Sequence, residues 1–333
     1  MNEFELIRLL TRALPANESV VVGPGDDCAV LDLGIPDREF LFKTDAVVEG
    51  VHFAAGTPPE KIGRKALARC LSDIAAMAGT PIAALVTLGL PREFEAEFVE
   101  RVYAGMSALA RQHGVAIVGG ETTLNPDRIL ISVALLGSVA KGKAVLRSGA
   151  RVGDAIFVTG ELGGSLAGKH LDFEPRIVEA RWLGEHFAVH AMIDVSDGLA
   201  GDLRHVLKAS RVGAELLKNA IPISRAAKER SRVRENADGV AAPPQSAEGH
   251  TPPPTHVGGY KPPLLAALTD GEDFELLFTV GSKDAVPLLD AWKKRFPKLR
   301  LSCIGKITAG DTVTLRDKTG AQPMPSRGYD HFA

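Results

Sequence analysis

Cysteine is scarce in this chain of 333 residues: Cys28, Cys70 and Cys303 are the only three, and no two form a C-x-x-C pair. An odd, widely spaced set excludes a disulfide framework and a zinc ribbon, and points to a reducing, cytoplasmic compartment. An excess of charge of one sign is also missing. With 39 basic against 41 acidic side chains the formal net charge is −2, so the chain offers no polyanion-binding surface for nucleic acid or acidic lipid, and small molecules are the expected partners. No apolar run reaches the roughly 18 residues of a membrane span. Met1 to Leu14 places Phe4, Ile7 and Leu10 near helical spacing with acids at Glu3 and Glu5, which is not the basic-then-apolar order of a signal peptide. Several catalytic signatures are absent or broken. No G-x-S-x-G elbow occurs, and His186 with His190 lacks the glutamate of H-E-x-x-H. Gly23-Pro24-Gly25 opens like a dinucleotide loop, but Cys28 holds the third glycine position. Gly137 to Lys143 spells G-x-x-x-x-G-K, yet Ala144 follows where a P-loop needs a hydroxyl for its metal.

What remains is a globular composition, 45% apolar and 24% charged, on a chain long enough for about two domains of roughly 150 residues. Apolar periodicity predicts a strand ending at Leu41 to Lys43, strands at Ile82 to Leu90, Val115 to Val118 and Ile129 to Val139, and helices over Glu60 to Met77 and Glu95 to His113. A second block opens near Gly153. It carries strands at Ala155 to Thr159, Ala191 to Val195, Glu275 to Val280 and Leu301 to Ile307, and helices at Leu162 to Lys169, Pro175 to Phe187 and Leu199 to Ala209. The polar stretch Lys141 to Arg151 is the joint, dividing the chain into residues 1–145 and 146–333. Between Ala241 and Pro263 lie seven of the 21 prolines and almost no large apolar residue. Such a stretch cannot bury enough surface to offset its ordering entropy, so residues 228–260 read as a flexible surface insertion.

Chemistry is suggested by short patterns that put carboxylates in turns at strand ends: Gly25-Asp26-Asp27, Lys43-Thr44-Asp45, Leu71-Ser72-Asp73, Gly119-Gly120-Glu121, Asp194-Val195-Ser196-Asp197-Gly198 and Asp270-Gly271-Glu272-Asp273. Asp45, Glu121 and Asp194 each follow a strand-like run, the place where open α/β sheets hold ligands, whereas Asp73 falls inside a predicted helix. Any one pattern is compatible with a turn or a helix cap. Together they suggest acids converging from several loops, which repel one another unless a cation lies between them, and hard oxygen donors select magnesium or calcium.

In this order, GDDCAVL, KTDAVVEGVHF, KALARCLSDIAAMAGTP, GGETT, LRSGA, DVSDGL, GEDFELLF and the terminal GYDHF resemble the thiamine-monophosphate kinase family, within the superfamily of aminoimidazole ribonucleotide synthetase. The resemblance implies a two-domain fold of mixed α+β and α/β type, with an N-terminal sheet domain that forms a homodimer and a C-terminal α/β domain. It also implies ATP-dependent phosphorylation of thiamine phosphate with several magnesium ions. By position it assigns Asp27, Thr44, Asp45, Asp73, Glu121, Asp194 and Asp197 to the metals, Lys43 joining through its backbone, and Glu121 standing where the family has Asp. Gly120, Glu121, Arg147, Ser196 and Tyr103 fall at nucleotide positions, and His52, Glu272 and Tyr329 at thiamine phosphate positions. Cys70 reads as packing.

The physics agrees with that assignment. Unit charges 4 Å apart repel by about 4 kcal/mol at an effective dielectric near 20, so two phosphate groups need cations between them. A phosphate acceptor has its second pKa at about 6 and is already ionised near neutrality, so no general base is required. Two alternatives stay open: another ATP-using synthetase of the superfamily, and a non-enzymatic nucleotide- or cation-binding module.

Overall fold

The computed structural model of the protein describes residues 3–229 and 261–325. Most of the predicted insertion and the terminal motif with Tyr329 lie outside the described residues. Helix α1 (Glu3–Thr11) precedes a six-stranded sheet of β1 (Val20–Val22), β2 (Ala29–Leu31), β3 (Arg38–Val48), β4 (Thr80–Leu90), β5 (Ala116–Leu124) and β6 (Leu130–Ala140). Their order is β1-β2-β3-β6-β4-β5, antiparallel except for β4 beside β5, which the helical crossover α3 (Ala96–His113) makes parallel. Helix α2 (Pro59–Ala76) packs on α3 and on one face of this sheet. The two helices approach very closely. A Cβ on Gly63 would stand 1.9 Å from the Val102 carbonyl oxygen, and one on Gly105 would stand 1.9 Å from that of Glu60. Gly114, at φ 69°, closes α3 by donating its N–H to the Ala110 and Arg111 carbonyls.

The second sheet holds β7 (Ala155–Thr159), β8 (Val189–Asp194), β9 (Gly213–Leu217), β10 (Leu276–Val280), β11 (Leu301–Thr308), β12 (Val313–Asp317) and β13 (Gly320–Pro323), in the order β13-β12-β9-β11-β7-β10-β8. Helices α4 (Lys169–Asp172), α5 (Ile177–His186), α6 (Leu199–Ser210), α7 (Pro263–Thr269) and α8 (Ala285–Arg295) accompany it. One core runs from Leu41, Leu71 and Ile74 to Met192, Phe278 and Trp292, and a second lies between this sheet and α6. Helix α2 is central, touching β3, β6, α4, α5 and β8, and most of its residues are buried, the charged Lys65 and Asp73 among them. Cys70 on α2 is fully buried with its Sγ 3.3 Å from the Val133 carbonyl, a packing role. No helix among the described residues is long and apolar enough to cross a membrane.

Two predicted positions change. Lys43, Thr44 and Asp45 lie inside β3, not in a turn beyond it, and Glu121 lies inside β5, because the cross-strand ladder to β6 and β4 continues through these polar residues. The predicted helix at Leu162 to Lys169 is a short 3-10 turn, Ser165–Ala167, followed by α4. Lys228 ends no helix: residues 225–229 form a helical turn that runs past the predicted start of the insertion.

Candidate active site

Asp27, Asp73 and Asp194 each bring a carboxylate oxygen within 4.8 Å of the other two, and all three residues are buried. Asp27 sits in the loop between β1 and β2. The adjoining Asp26 accepts hydrogen bonds from the backbone N–H groups of Asp27 (3.0 Å) and Arg147 (3.1 and 3.2 Å), which ties that loop to the joint between the sheets. Asp73 projects from the last turn of α2. Asp194 ends β8 and accepts a 2.6 Å bond from Ser72 Oγ, so neighbouring residues of one helix engage both halves of the chain. Lys43 Nζ lies 3.1 Å from Asp73, and Arg147 Nη2 lies 2.6 Å from Asp27.

Burial dominates the electrostatics. It pushes Asp194 up to about 7, with the charge of Asp27 adding to the effect, and it pushes Asp73 upward against the pull of Lys43. Burial also opposes the Lys43 ammonium, but Asp73 and Asp45 outweigh it and raise the lysine. Asp27 Oδ2 and Asp73 Oδ2 are shielded from water and have no hydrogen-bond partner among the described residues. Ionised carboxylates in that state are costly unless a cation accepts their lone pairs. A buried set of hard oxygen donors with orphaned lone pairs fits magnesium.

A second group adjoins the first: Asp197, Asp202 and His205 also place their ligand atoms within 4.8 Å of one another. Asp202, on α6, accepts the Asp197 N–H at 3.0 Å and fixes the loop after β8. Burial raises the Asp202 carboxyl, Asp197 adding, and burial lowers His205 to about 4, so its imidazole is neutral near pH 7.

The wall opposite the carboxylates is built by Glu272. Its N–H donates to the Ser196 carbonyl at 2.7 Å, extending the β8–β10 pairing into the loops beyond it, and Gly271 has no room for a Cβ, which would stand 2.7 Å from the same oxygen. Glu272 and Phe274 hold left-handed φ values of 62° and 50°, a strain that clusters at functional loops. The fully buried Lys65 donates to Glu272 (2.7 Å) and to the His52 carbonyl (2.6 Å), and its Nζ lies 2.8 Å from His170 Nδ1. Although burial opposes it, the Glu272 charge is favoured by His170, Lys65 and Arg69, which hold the carboxyl at about 2; burial lowers Lys65 to about 8 against the pull of Glu272. His52 Nδ1 accepts the Val48 N–H at 3.1 Å, so the neutral ring carries its proton on Nε2. Arg69 lies 3.5 Å from Asp45 and 3.9 Å from Glu272.

Residues 25–139 match the family of the AIR synthase related protein, N-terminal domain. The thiamine-monophosphate kinase of Rhodopirellula baltica is 42% identical over 286 residues, covering 84% of this chain and 81% of that protein. That of Bacillus subtilis is 32% identical over 356 aligned positions, covering 100% of both. The chain belongs to the thiamine-monophosphate kinase family. The solved structure of AaThiL complexed with AMPPCP and TMP, 30% identical, superposes with a TM-score of 0.77 over 99% of this chain and 97% of that one.

Against the family assignment, one chain gathers Asp27, Asp73 and Asp194, sets Asp197 beside them, and joins Asp45, Glu272 and His52 through Arg69 and Lys65. Arg147 is ion-paired to Asp27, and the Ser196 carbonyl accepts the Glu272 N–H. The Lys43 ammonium meets Asp73. Thr44 alternates to the other sheet face, where its hydroxyl is 3.3 Å from Ser132 Oγ, while Gly120 and Glu121 are exposed on edge strand β5 and Tyr103 is half-buried on α3. Lys65, Arg69, His170, Asp202 and His205 were missed by sequence reasoning. For the first two the signal was present, since Lys65, Arg69 and Asp73 recur every fourth residue and so share one face of the helix.

Proposed function

We propose that this thiamine-monophosphate kinase family member transfers the γ-phosphoryl group of ATP to thiamine phosphate, giving thiamine diphosphate and ADP. An oxygen of the acceptor phosphate attacks the γ-phosphorus while the bond to the β–γ bridging oxygen breaks, and ADP carries away that electron pair. The observation that carries this reading is the buried Asp27, Asp73 and Asp194 set with two orphaned oxygens. Family membership, and the likeness to AaThiL complexed with AMPPCP and TMP, supply the two substrates. Asp27, Asp73 and Asp194, with Asp45 and Asp197 at the margin, would hold magnesium, which supplies charge neutralisation for the phosphates when bound.

The chain's own residues do the rest. Lys65, His170 and Arg69 keep Glu272 ionised and placed beside His52, so that this wall receives the cationic acceptor. Arg147, with its Nε lacking a hydrogen-bond partner, is placed to meet nucleotide phosphate. No side chain is needed to take a proton, because the acceptor dianion brings none. Thr44 and Glu121 would serve the metals, and Gly120, Glu121 and Tyr103 the nucleotide. We divide the chain into an N-terminal unit, residues 1–145, and a C-terminal unit, 146–333, working as a homodimer in the cytoplasm. The dimer is supported by the sheet face opposite α2 and α3, where Phe42 and Leu85 are each 49% exposed.

The decisive experiment is thiamine diphosphate formation from ATP and thiamine phosphate with and without magnesium. Product only with all three supports the proposal, and ATP hydrolysis that ignores thiamine phosphate contradicts it. Asp73→Asn is expected to cut turnover by about a thousandfold or more with the fold intact, and a near wild-type rate in excess magnesium would sink the metal assignment.

A further inference from the structure

We propose that Arg69 anchors the phosphate monoester of the acceptor and so sets the preference for thiamine phosphate over thiamine; this rests on the function proposed above. The arginine leaves α2 one turn after Lys65 and one turn before Asp73, so it stands between the Glu272 wall and the carboxylate pocket. Its Nε lies 3.5 Å from Asp45 Oδ2 and its Nη1 lies 3.9 Å from Glu272 Oε1. Neither contact is a hydrogen bond: both nitrogens are shielded from water and have no hydrogen-bond partner among the described residues. A buried guanidinium N–H without an acceptor is costly, and the planar fork of arginine suits phosphate oxygens better than any other ligand class in this pocket.

The neighbouring cations are already engaged. Lys65 donates to the His52 carbonyl (2.6 Å) and to Glu272 (2.7 Å), and its ammonium lies 2.8 Å from His170 Nδ1, so it is already held by this wall. Lys43 and Arg147 are bound to Asp73 and Asp27 at the far side. Among the described residues on the Glu272 and His52 side, Arg69 is therefore the cation with donors still to satisfy. An acceptor whose organic part rests against Glu272 and His52 would direct its phosphate toward Arg69 and on to the carboxylate pocket, where the second phosphate must arrive. A purely structural role, neutralising Asp45 and Glu272, makes no distinction between phosphorylated and unphosphorylated acceptor.

The test measures binding of thiamine phosphate and of thiamine to the full-length protein by calorimetry, together with KM for each substrate. For Arg69→Gln the affinity for thiamine phosphate should fall about tenfold or more while that for thiamine stays within about twofold and KM for ATP is unchanged. Arg69→Lys, which keeps the charge and protects the fold, should give an intermediate loss. Unchanged preference in both variants, equal losses for thiamine and thiamine phosphate, or a rise confined to KM for ATP would overturn the assignment. A wild-type protein that makes no thiamine diphosphate would instead overturn the proposed function, so the two failures are distinguishable.

Discussion

At Asp194, burial and the Asp27 charge lift the folded-state pKa from 3.8 to about 7. Between those values the folded protein keeps a proton that the unfolded chain has released, so in the absence of metal this group lowers stability as pH rises from about 4 to about 7. Metal-free protein is therefore expected to show an Asp194 contribution that makes its urea midpoint lower at pH 8 than at pH 5. In Asp194→Asn that difference should shrink, and added magnesium should raise the midpoint of the wild type more than that of the variant. Identical pH dependence in the two proteins would mean that the carboxylate is not under this stress. A second residue-level consequence concerns Lys65, whose side chain is fully buried against Glu272. Lys65→Met leaves a buried carboxylate short of its partner and should cost about 3–5 kcal/mol in chemical denaturation. Adding Glu272→Gln should recover a large part of that loss, and equal losses for the single and double variants would show that the pair is not the cause.

Helix α2 is the element on which the site depends, since it carries Lys65, Arg69, Ser72 and Asp73 between the two sheets. Its position is fixed by glycine contacts to α3 that leave no room for a methyl group. Gly63→Ala should destabilise the protein by about 1–3 kcal/mol or more through forced separation of the helices. Turnover should fall more than stability alone explains, which parallel denaturation and rate measurements at one temperature would reveal. Elements also explain why Asp45 and Glu121 were misplaced in sequence. Polar residues normally mark strand ends, but on β3 the alternation runs through Lys43 and Asp45 on the helix-covered face, because that face opens into a charged pocket there. Asp73, by contrast, was correctly placed within a helix, since the apolar periodicity around it is long and regular.

For the whole molecule, the uncovered face of the first sheet should decide assembly. Phe42 and Leu85 point away from α2, and their replacement by aspartate puts charge on that face without touching the core. Sedimentation should give about twice 35.3 kDa for the wild type and a single-chain mass for Phe42→Asp/Leu85→Asp, with the melting transition still cooperative. A wild-type mass of one chain would remove the dimer.

Local residue chemistry and spacing were enough to read from sequence a globular chain of two α and β blocks, its main helices and strands, and a set of acid-rich motifs, because periodicity and motif order are properties of short segments. Which acids share a pocket was decided only by tertiary structure. Asp27, Asp73 and Asp194 meet because β8 ends beside the last turn of α2 and the Asp26 loop is tied to Arg147, contacts between segments far apart in the chain. The same is true of Lys65 and Arg69, whose spacing was visible but whose partners Glu272 and Asp45 lie on other elements. Burial, which sets the cost of each charge and leaves some donors and acceptors without partners, exists only once the chain has folded.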